Sequence, residues 1–183
     1  MGYKGSLLSF ANRLASIGFF FNPKLPTYYE GNWIWLHRTS WNSLFSREEP
    51  YTAQAIKSNL KAGDTFWDIG AYIGWFSLLA SKIVGPNGRV FSFEPSPDVF
   101  NLLSANTEGL HSIRAIRCGV GSIDTVAVFS AQGVSSAASF VEDVTKITQR
   151  CLPDPIRKVE VKVDTLSKVG AGRKAITGSG TRC

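Results

Sequence analysis

Apolar and polar residues follow three different rhythms along the chain. Ser6 to Phe21, SLLSFANRLASIGFFF, is the most apolar stretch, with Leu7, Phe10, Leu14 and Ile17 recurring every three or four positions. That spacing predicts an amphipathic helix. At 16 residues, with Asn12 and Arg13 in its middle, the stretch is too short and too interrupted to span a bilayer. It also lacks the uninterrupted run and small-residue cleavage site of a signal peptide. Packing on the domain is the expected use, with membrane-surface contact through residues 6–21 as the alternative. Asn22 to Pro26 reads as a linker. Tyr28, Tyr29, Trp33, Trp35 and Trp41 follow, and Trp33, Trp35 and His37 alternate as on one face of a strand. Aromatics beside His37 and Arg38 can stack on bases or sugar rings, although covering one end of a core is their more ordinary use.

A second rhythm begins at residue 48. Glu48 to Leu60 has helical spacing, with Ala55, Ile56 and Leu60 on one side. Thr65-Phe66-Trp67-Asp68-Ile69 is a β-branched and aromatic run, the signature of a buried strand. Trp75 to Val84 returns to helix and stops at Gly85-Pro86-Asn87-Gly88. Arg89 to Phe93 is a second strand. A second helix of the same kind then begins, with Ser96 as N-cap, Pro97 at its first position and an apolar face of Val99, Phe100, Leu102 and Leu103. Ser112 to Arg117 gives a third strand. This β-α-β-α-β order predicts a parallel sheet with right-handed crossovers. The third rhythm is strict alternation in Thr125 to Phe129 and Val159 to Val163, which predicts two antiparallel strands. From Lys168 onward glycine, serine, threonine and basic residues dominate, and a disordered tail is expected. The implied organisation is an extension over residues 1–45, an α/β domain over 46–167 and a tail over 168–183.

Composition changes this picture little. In 183 residues, 44% hydrophobic and 19% charged content is that of a globular domain with a core. The net charge of +6 permits an anionic partner without naming one. Several of those charges, Arg173, Lys174 and Arg182, lie in the tail, which weakens a nucleic-acid reading. The cysteines Cys118, Cys151 and Cys183 form no CxxC pair, pointing to reduced thiols and a cytoplasmic setting. With His37 and His111 as the only histidines, no metal site is expected.

Ligands of open α/β sheets bind outside the carboxyl ends of the strands, and Asp68 and Glu94 stand at two such ends. Gly70 and Gly74 in the first loop allow close backbone approach. An acid ending the second strand can accept hydrogen bonds from ribose hydroxyls. A dinucleotide fingerprint would need a glycine where Asp68 or Tyr72 stands, and no phosphate-binding GxxxxGK[ST] run exists. The remaining pattern, acid-x-Gly-x-x-x-Gly plus a second-strand acid, would repel a pyrophosphate and suits a ligand with cationic character.

Asp68-Ile69-Gly70-Ala71-Tyr72-Ile73-Gly74 followed by Phe93-Glu94-Pro95 resembles the class I S-adenosylmethionine-dependent methyltransferases. More narrowly, Leu60 to Asn106 is similar to the FkbM family. Gly63-Asp64-Thr65, Gly85-Pro86-Asn87-Gly88-Arg89-Val90, Ser96-Pro97 and Asn101-Leu102-Leu103 with Asn106 add to the likeness. A weaker one runs through Cys118-Gly119-Val120 and Ser135-Ser136 to Val163-Asp164-Thr165-Leu166. The resemblance implies a Rossmann-like α/β fold with helices on both faces of an incomplete parallel sheet and an antiparallel excursion. It implies S-adenosyl-L-methionine as cofactor, in a pocket formed by Asp68, Gly70, Ala71, Tyr72 and Gly74. Glu94 would hold the ribose, with Cys118 and Gly119 near the adenine. The implied reaction is O-methylation of a hydroxyl on a sugar or small natural product, so the expected partner is a small-molecule or glycan acceptor.

No catalytic residue stands out. His111 belongs at the amino end of the sheet, away from the ligand edge, and His37 has no assigned position. After Leu166 the family's fourth core strand does not follow, so the chain reads as a C-terminally truncated methyltransferase domain. Two alternatives stay open: an inactive cofactor-binding fragment, and a nucleic-acid methyltransferase.

Overall fold

The computed structural model describes residues 24–37, 40, 50–131, 134 and 155–171. The alternating aromatic segment forms a hairpin, β1 (Lys24–Tyr29) and β2 (Asn32–His37), paired antiparallel from Lys24↔His37 to Tyr29↔Asn32. The linker expected over residues 22–26 is therefore corrected, because Lys24, Leu25 and Pro26 belong to β1. Proline is tolerated there because a two-stranded ribbon consists only of edges. The segment 6–21, Trp41 and the acids Glu48 and Glu49 lie outside the described residues.

Helix α1 (Pro50–Asn59) opens on a proline, a residue suited to a first turn because it has no N–H to satisfy. Next come β3 (Thr65–Ile69), α2 (Trp75–Val84), β4 (Arg89–Phe93), α3 (Pro97–Asn106) and β5 (Ile113–Ile116). The three strands form a parallel sheet in the order β3–β4–β5, as the β-α-β-α-β pattern requires. Strand alternation then assigns the two faces. Phe66, Val90 and Ile113 pack against Ile56 of α1 and Leu79, Ala80 and Val84 of α2. Trp67, Phe91, Phe93 and Ile116 point the other way, towards Cys118, Val120 and Val169.

A second three-stranded sheet, in the order β6–β8–β7, follows from β6 (Gly119–Gly121), β7 (Thr125–Ala131) and β8 (Arg157–Thr165). The two alternating segments pair antiparallel as expected, from Thr125↔Val163 to Ala131↔Arg157. Strand β6 is new: three residues, Gly-Val-Gly, leave no side-chain rhythm to read, yet they pair parallel with β8. The tail expected from residue 168 is corrected over 168–171, where α4 (Leu166–Ala171) continues β8; 172–183 lie outside the described residues. The buried Asp164 fastens this end of the chain. Its carboxylate meets Lys162 Nζ at 3.2 Å and Lys168 Nζ at 2.7 Å, and Lys168 also meets Asp124 at 3.3 Å. Val169 of this helix covers the second face of the parallel sheet, so helices lie on both faces. The architecture is thus Rossmann-like α/β with an antiparallel excursion. Among the described residues, no helix is long and apolar enough to cross a membrane.

The hairpin is not a loose appendage. Ile34 and Leu36 are buried, and Leu36 packs with Ile73, Val99 and Leu102. Asn106, the last residue of α3, acts as its clamp. Its Oδ1 accepts the Trp35 N–H at 2.7 Å, and its Nδ2 donates to Trp35 O at 3.2 Å and to Ile73 O at 2.9 Å. One buried amide thereby satisfies three backbone groups on two segments. Replacing it by alanine leaves them without partners, and Asn106→Ala is expected to lower unfolding free energy by about 2–4 kcal/mol in denaturant titration. Asn106→Asp should be nearly as damaging, since the carboxylate keeps the acceptor but loses the donor.

Candidate functional site

Two strand ends and the loop between them form the candidate site. At the carboxyl end of β3 the chain leaves the sheet and turns at once: Gly70 N–H and Ala71 N–H both donate to Phe93 O at 2.9 Å. The turn requires left-handed backbone at Gly70 (φ +78°), Tyr72 (φ +52°) and Gly74 (φ +100°), the last serving as N-cap of α2. The two glycines differ in surroundings. A Cβ on Gly74 would come within 3.1 Å of Leu103 Cδ1, whereas a Cβ on Gly70 would meet no atom within 4 Å. Gly74 is therefore bare so that α2 can pack on α3, and Gly70 opens outward next to the exposed Ile69.

Glu94 follows β4 directly and is buried at 6% exposure. Its Oε2 accepts the Tyr72 N–H at 3.0 Å and its Oε1 accepts the Ser96 N–H at 2.9 Å. Burial raises the carboxyl from the usual 4.5 to about 7; the N–H groups of Ser96 and Tyr72 pull it down, and the charge of Asp68 adds to the rise. The Ser96 hydroxyl beside it is buried without a hydrogen-bond partner, so Ser96 occupies the N-cap position of α3 without its side chain capping. Asp68 is buried too, but its Oδ2 accepts a 2.5 Å hydrogen bond from Ser77 Oγ, which also meets Ser92 Oγ at 2.6 Å.

Asp68, Gly70, Ala71, Tyr72, Gly74 and Glu94, all singled out in the sequence, thus converge on one edge of the sheet. Cys118 and Gly119 join them by backbone. Cys118 N–H and Glu94 N–H both donate to Ile116 O at 3.1 Å, which ties the ends of β4 and β5 together. The Cys118 thiol itself is fully buried against Phe91 and Phe93, and Gly119 is buried at the start of β6. His111 is exposed in the turn before β5, at the amino end of the sheet, and His37 ends β2. His37 follows Leu36, which packs on Ile73 of the loop. Sequence reading missed Ser77, Ser92 and Ser96 as parts of this edge. The available signal was a lone serine within each of two apolar runs, Phe76–Leu79 and Val90–Phe93.

Residues 68–176 match the family model described as the methyltransferase FkbM domain, more than half of the chain, starting at Asp68 itself. The chain belongs to the FkbM methyltransferase family. Among individual relatives, the methyltransferase sdnD of Sordaria araneosa is 34% identical over 68 residues, covering 36% of this chain and 26% of that protein. The chain therefore spans about a quarter of the curated relative it matches. Among solved structures, a SAM-dependent methyltransferase from Aquifex aeolicus is similar at 26% identity and a TM-score of 0.33, over 43% of this chain and 40% of that one. Fibrillarin from Aeropyrum pernix, solved with natively bound S-adenosyl-L-methionine, is similar at 20% identity and a TM-score of 0.34, over 54% of this chain and 41% of that one.

Two measurements check the local physics of this FkbM domain. Gly74→Ala should cost about 2 kcal/mol or more, combining left-handed strain with the Leu103 contact, while Gly70→Ala should cost only about 1 kcal/mol of strain. For Glu94 the folded state holds its proton to a higher pH than the unfolded chain does. Its contribution to stability is fully present below about pH 4.5 and is lost as pH rises through about 7. The difference in unfolding free energy between the parent and Glu94→Gln should therefore shift by about 3 kcal/mol in favour of the variant between pH 4 and pH 8.

Proposed function

We propose that the edge formed by Glu94, Gly70 and the N-terminus of α2 binds S-adenosylmethionine, and that the domain serves methyl transfer to a hydroxyl of a small molecule or glycan. The observation that carries the reading is Glu94: a buried carboxylate at the carboxyl end of β4, fixed by two backbone N–H groups. Each of its oxygens retains acceptor capacity, which suits the paired hydroxyls of a ribose. The residues fit the group in other respects. The unpartnered Ser96 hydroxyl is a further polar atom beside that carboxylate. The open side of Gly70 lets a ligand approach the backbone. The negative charge of Asp68 favours a cationic ligand over a pyrophosphate. When bound, the cofactor supplies a methyl group on a positively charged sulfur.

The chain's own residues would hold the ribose at Glu94, orient the rest along the Asp68–Gly74 loop and keep water from the Glu94 carboxylate. Fixing the donor in this way lowers the entropic barrier to an in-line displacement by an acceptor oxygen. A hydroxyl acceptor commonly requires a base, and His111 stands at the amino end of the sheet, away from this edge. The acceptor class rests on the family resemblance.

Calorimetric titration with S-adenosylmethionine tests the reading. Glu94→Ala should weaken binding tenfold or more, by roughly the loss of two hydrogen bonds to a charged group. Unaltered affinity in that variant would remove Glu94 from the site. The ionised carboxylate is the form that accepts from hydroxyls, so affinity in the parent chain should rise about tenfold between pH 6 and pH 8 and flatten above. Binding near pH 7 should release protons, seen as a dependence of the measured heat on buffer ionisation enthalpy, and Glu94→Gln should abolish both effects.

A further inference from the structure

The loop after β3 is held from two sides. On the strand side, Gly70 N–H and Ala71 N–H donate to Phe93 O at 2.9 Å, and Tyr72 N–H donates to Glu94 Oε2 at 3.0 Å. On the other side stands the β1–β2 hairpin. Leu36, at 0% exposure, packs on Ile73, itself at 0%. Asn106 Nδ2 donates to Ile73 O at 2.9 Å while its Oδ1 accepts the Trp35 N–H at 2.7 Å. The Tyr29 ring lies edge to face against that of Trp75, with centroids 4.6 Å apart and planes at 76°. Ile73 and Trp75, the two neighbours of Gly74, are thus both gripped from the hairpin side. The hairpin spans residues 24–37 and so precedes residues 68–176, the part of the chain matched to the family.

Such a loop needs holding. Gly70, Tyr72 and Gly74 are all left-handed, at φ +78°, +52° and +100°. The conformation is disfavoured at Tyr72, which carries a Cβ, and persists where the surroundings over-determine it. Released from the hairpin, the loop would spread over other conformations and withdraw the Tyr72 N–H from Glu94. A site competent for only a fraction of the time binds its ligand more weakly by that fraction. We propose that the β1–β2 hairpin is a positioning element of the S-adenosylmethionine site, holding the loop after β3 in its binding conformation through Asn106 and Tyr29. The proposal rests on the cofactor reading given above. Asn106 and Tyr29 act through Ile73 and Trp75 and are positioning residues. Coupling of this kind is reciprocal: disturbing the hairpin weakens the ligand, and the ligand steadies the hairpin.

Calorimetric titration with S-adenosylmethionine, at a temperature where circular dichroism shows each variant folded, tests the coupling. Tyr29→Ala and Asn106→Ala should each weaken binding about tenfold, the loss that follows when the competent fraction falls to about a tenth. Tyr29→Phe keeps the ring and should bind as the parent does. Val161→Ala, in the buried cluster with Phe129, Ala131 and Val163, should lower the melting temperature and leave affinity unchanged. The Trp35 amide of the parent gives a readout that needs no variant, because its acceptor is Asn106. Its hydrogen exchange should slow about tenfold when S-adenosylmethionine is added. Parent-like affinity in folded Tyr29→Ala, an unchanged Trp35 exchange rate, or an equal loss of affinity in Val161→Ala overturns the proposal. If Glu94→Ala still loses affinity in that case, the cofactor reading stands without the hairpin. A parent chain that binds no S-adenosylmethionine overturns both.

Discussion

A buried carboxylate that accepts two backbone N–H groups ties the upper edge of this domain together. Leaving Glu94 without partners in that position would cost several kcal/mol, so the chain on either side must bring donors to it. Ser96 does so two residues onward at the start of α3, and Tyr72 does so from the loop after β3. The second requirement is demanding. Tyr72 takes a left-handed backbone conformation, φ +52°, which costs an ordinary residue about 1 kcal/mol. A hydrogen bond to a partly ionised group is strong enough to offset that strain. The same backbone conformation sends the Tyr72 ring to Ser40 and the carbonyl of Val134, with both of which its hydroxyl is hydrogen-bonded. One acid thus fixes a loop, a helix start and two more distant segments of the chain.

The Asn106 clamp extends this arrangement to the hairpin. Because Asn106 grips Ile73 and Trp35 at once, the glycine loop cannot shift without disturbing β2. Tyr29 adds a second contact, its ring 4.6 Å from that of Trp75 at the first position of α2. The hairpin's inner face is therefore committed to supporting the loop. That commitment explains why β2 alternates so sharply between buried Ile34 and Leu36 and exposed Trp33 and Trp35: the inner positions are consumed by packing.

The parallel half of the fold was legible because its signals are local and agree with one another. Trp75–Val84 and Arg89–Phe93 have the bounds their periodicity predicts, and Pro97 begins α3 where proline after an N-cap serine should. Elements held by long-range pairing were less legible. Strand β6 has no rhythm of its own and exists because β8 offers it an edge. Helix α4 lies in a stretch whose composition reads as tail, and it forms where Lys168 can reach Asp164 and Asp124. Lys24–Pro26 reads as linker because proline usually interrupts a strand, an inference that fails in a ribbon made only of edges. At the site, the acids and glycines were visible as a motif, whereas the serines were not. A buried serine is informative only through its partner, and the partners of Ser77 lie nine residues back and fifteen ahead.

Those serines bear on how the two acids at the edge divide their work. Asp68 and Glu94 end adjacent strands, and a motif alone ranks them equally as ligand contacts. The hydroxyl of Ser77 occupies Asp68 Oδ2 and links it to Ser92, so that carboxylate is committed to joining β3, α2 and β4. Among the described residues Glu94 is bound by N–H groups of the loop and the helix start, and the hydroxyl nearest to it in sequence, that of Ser96, makes no hydrogen bond. Glu94 is also the acid whose proton is held up to about pH 7, a shift that the charge of Asp68 helps to maintain. Burial is the main cause of that shift, and the neighbouring Asp68 adds to it. A ligand that donates hydrogen bonds to Glu94, or that brings positive charge to the edge, favours the ionised carboxylate. On the proposed reading the two acids divide their work: Asp68 holds the sheet to α2, and Glu94 is the one left to touch a cationic, hydroxyl-bearing ligand.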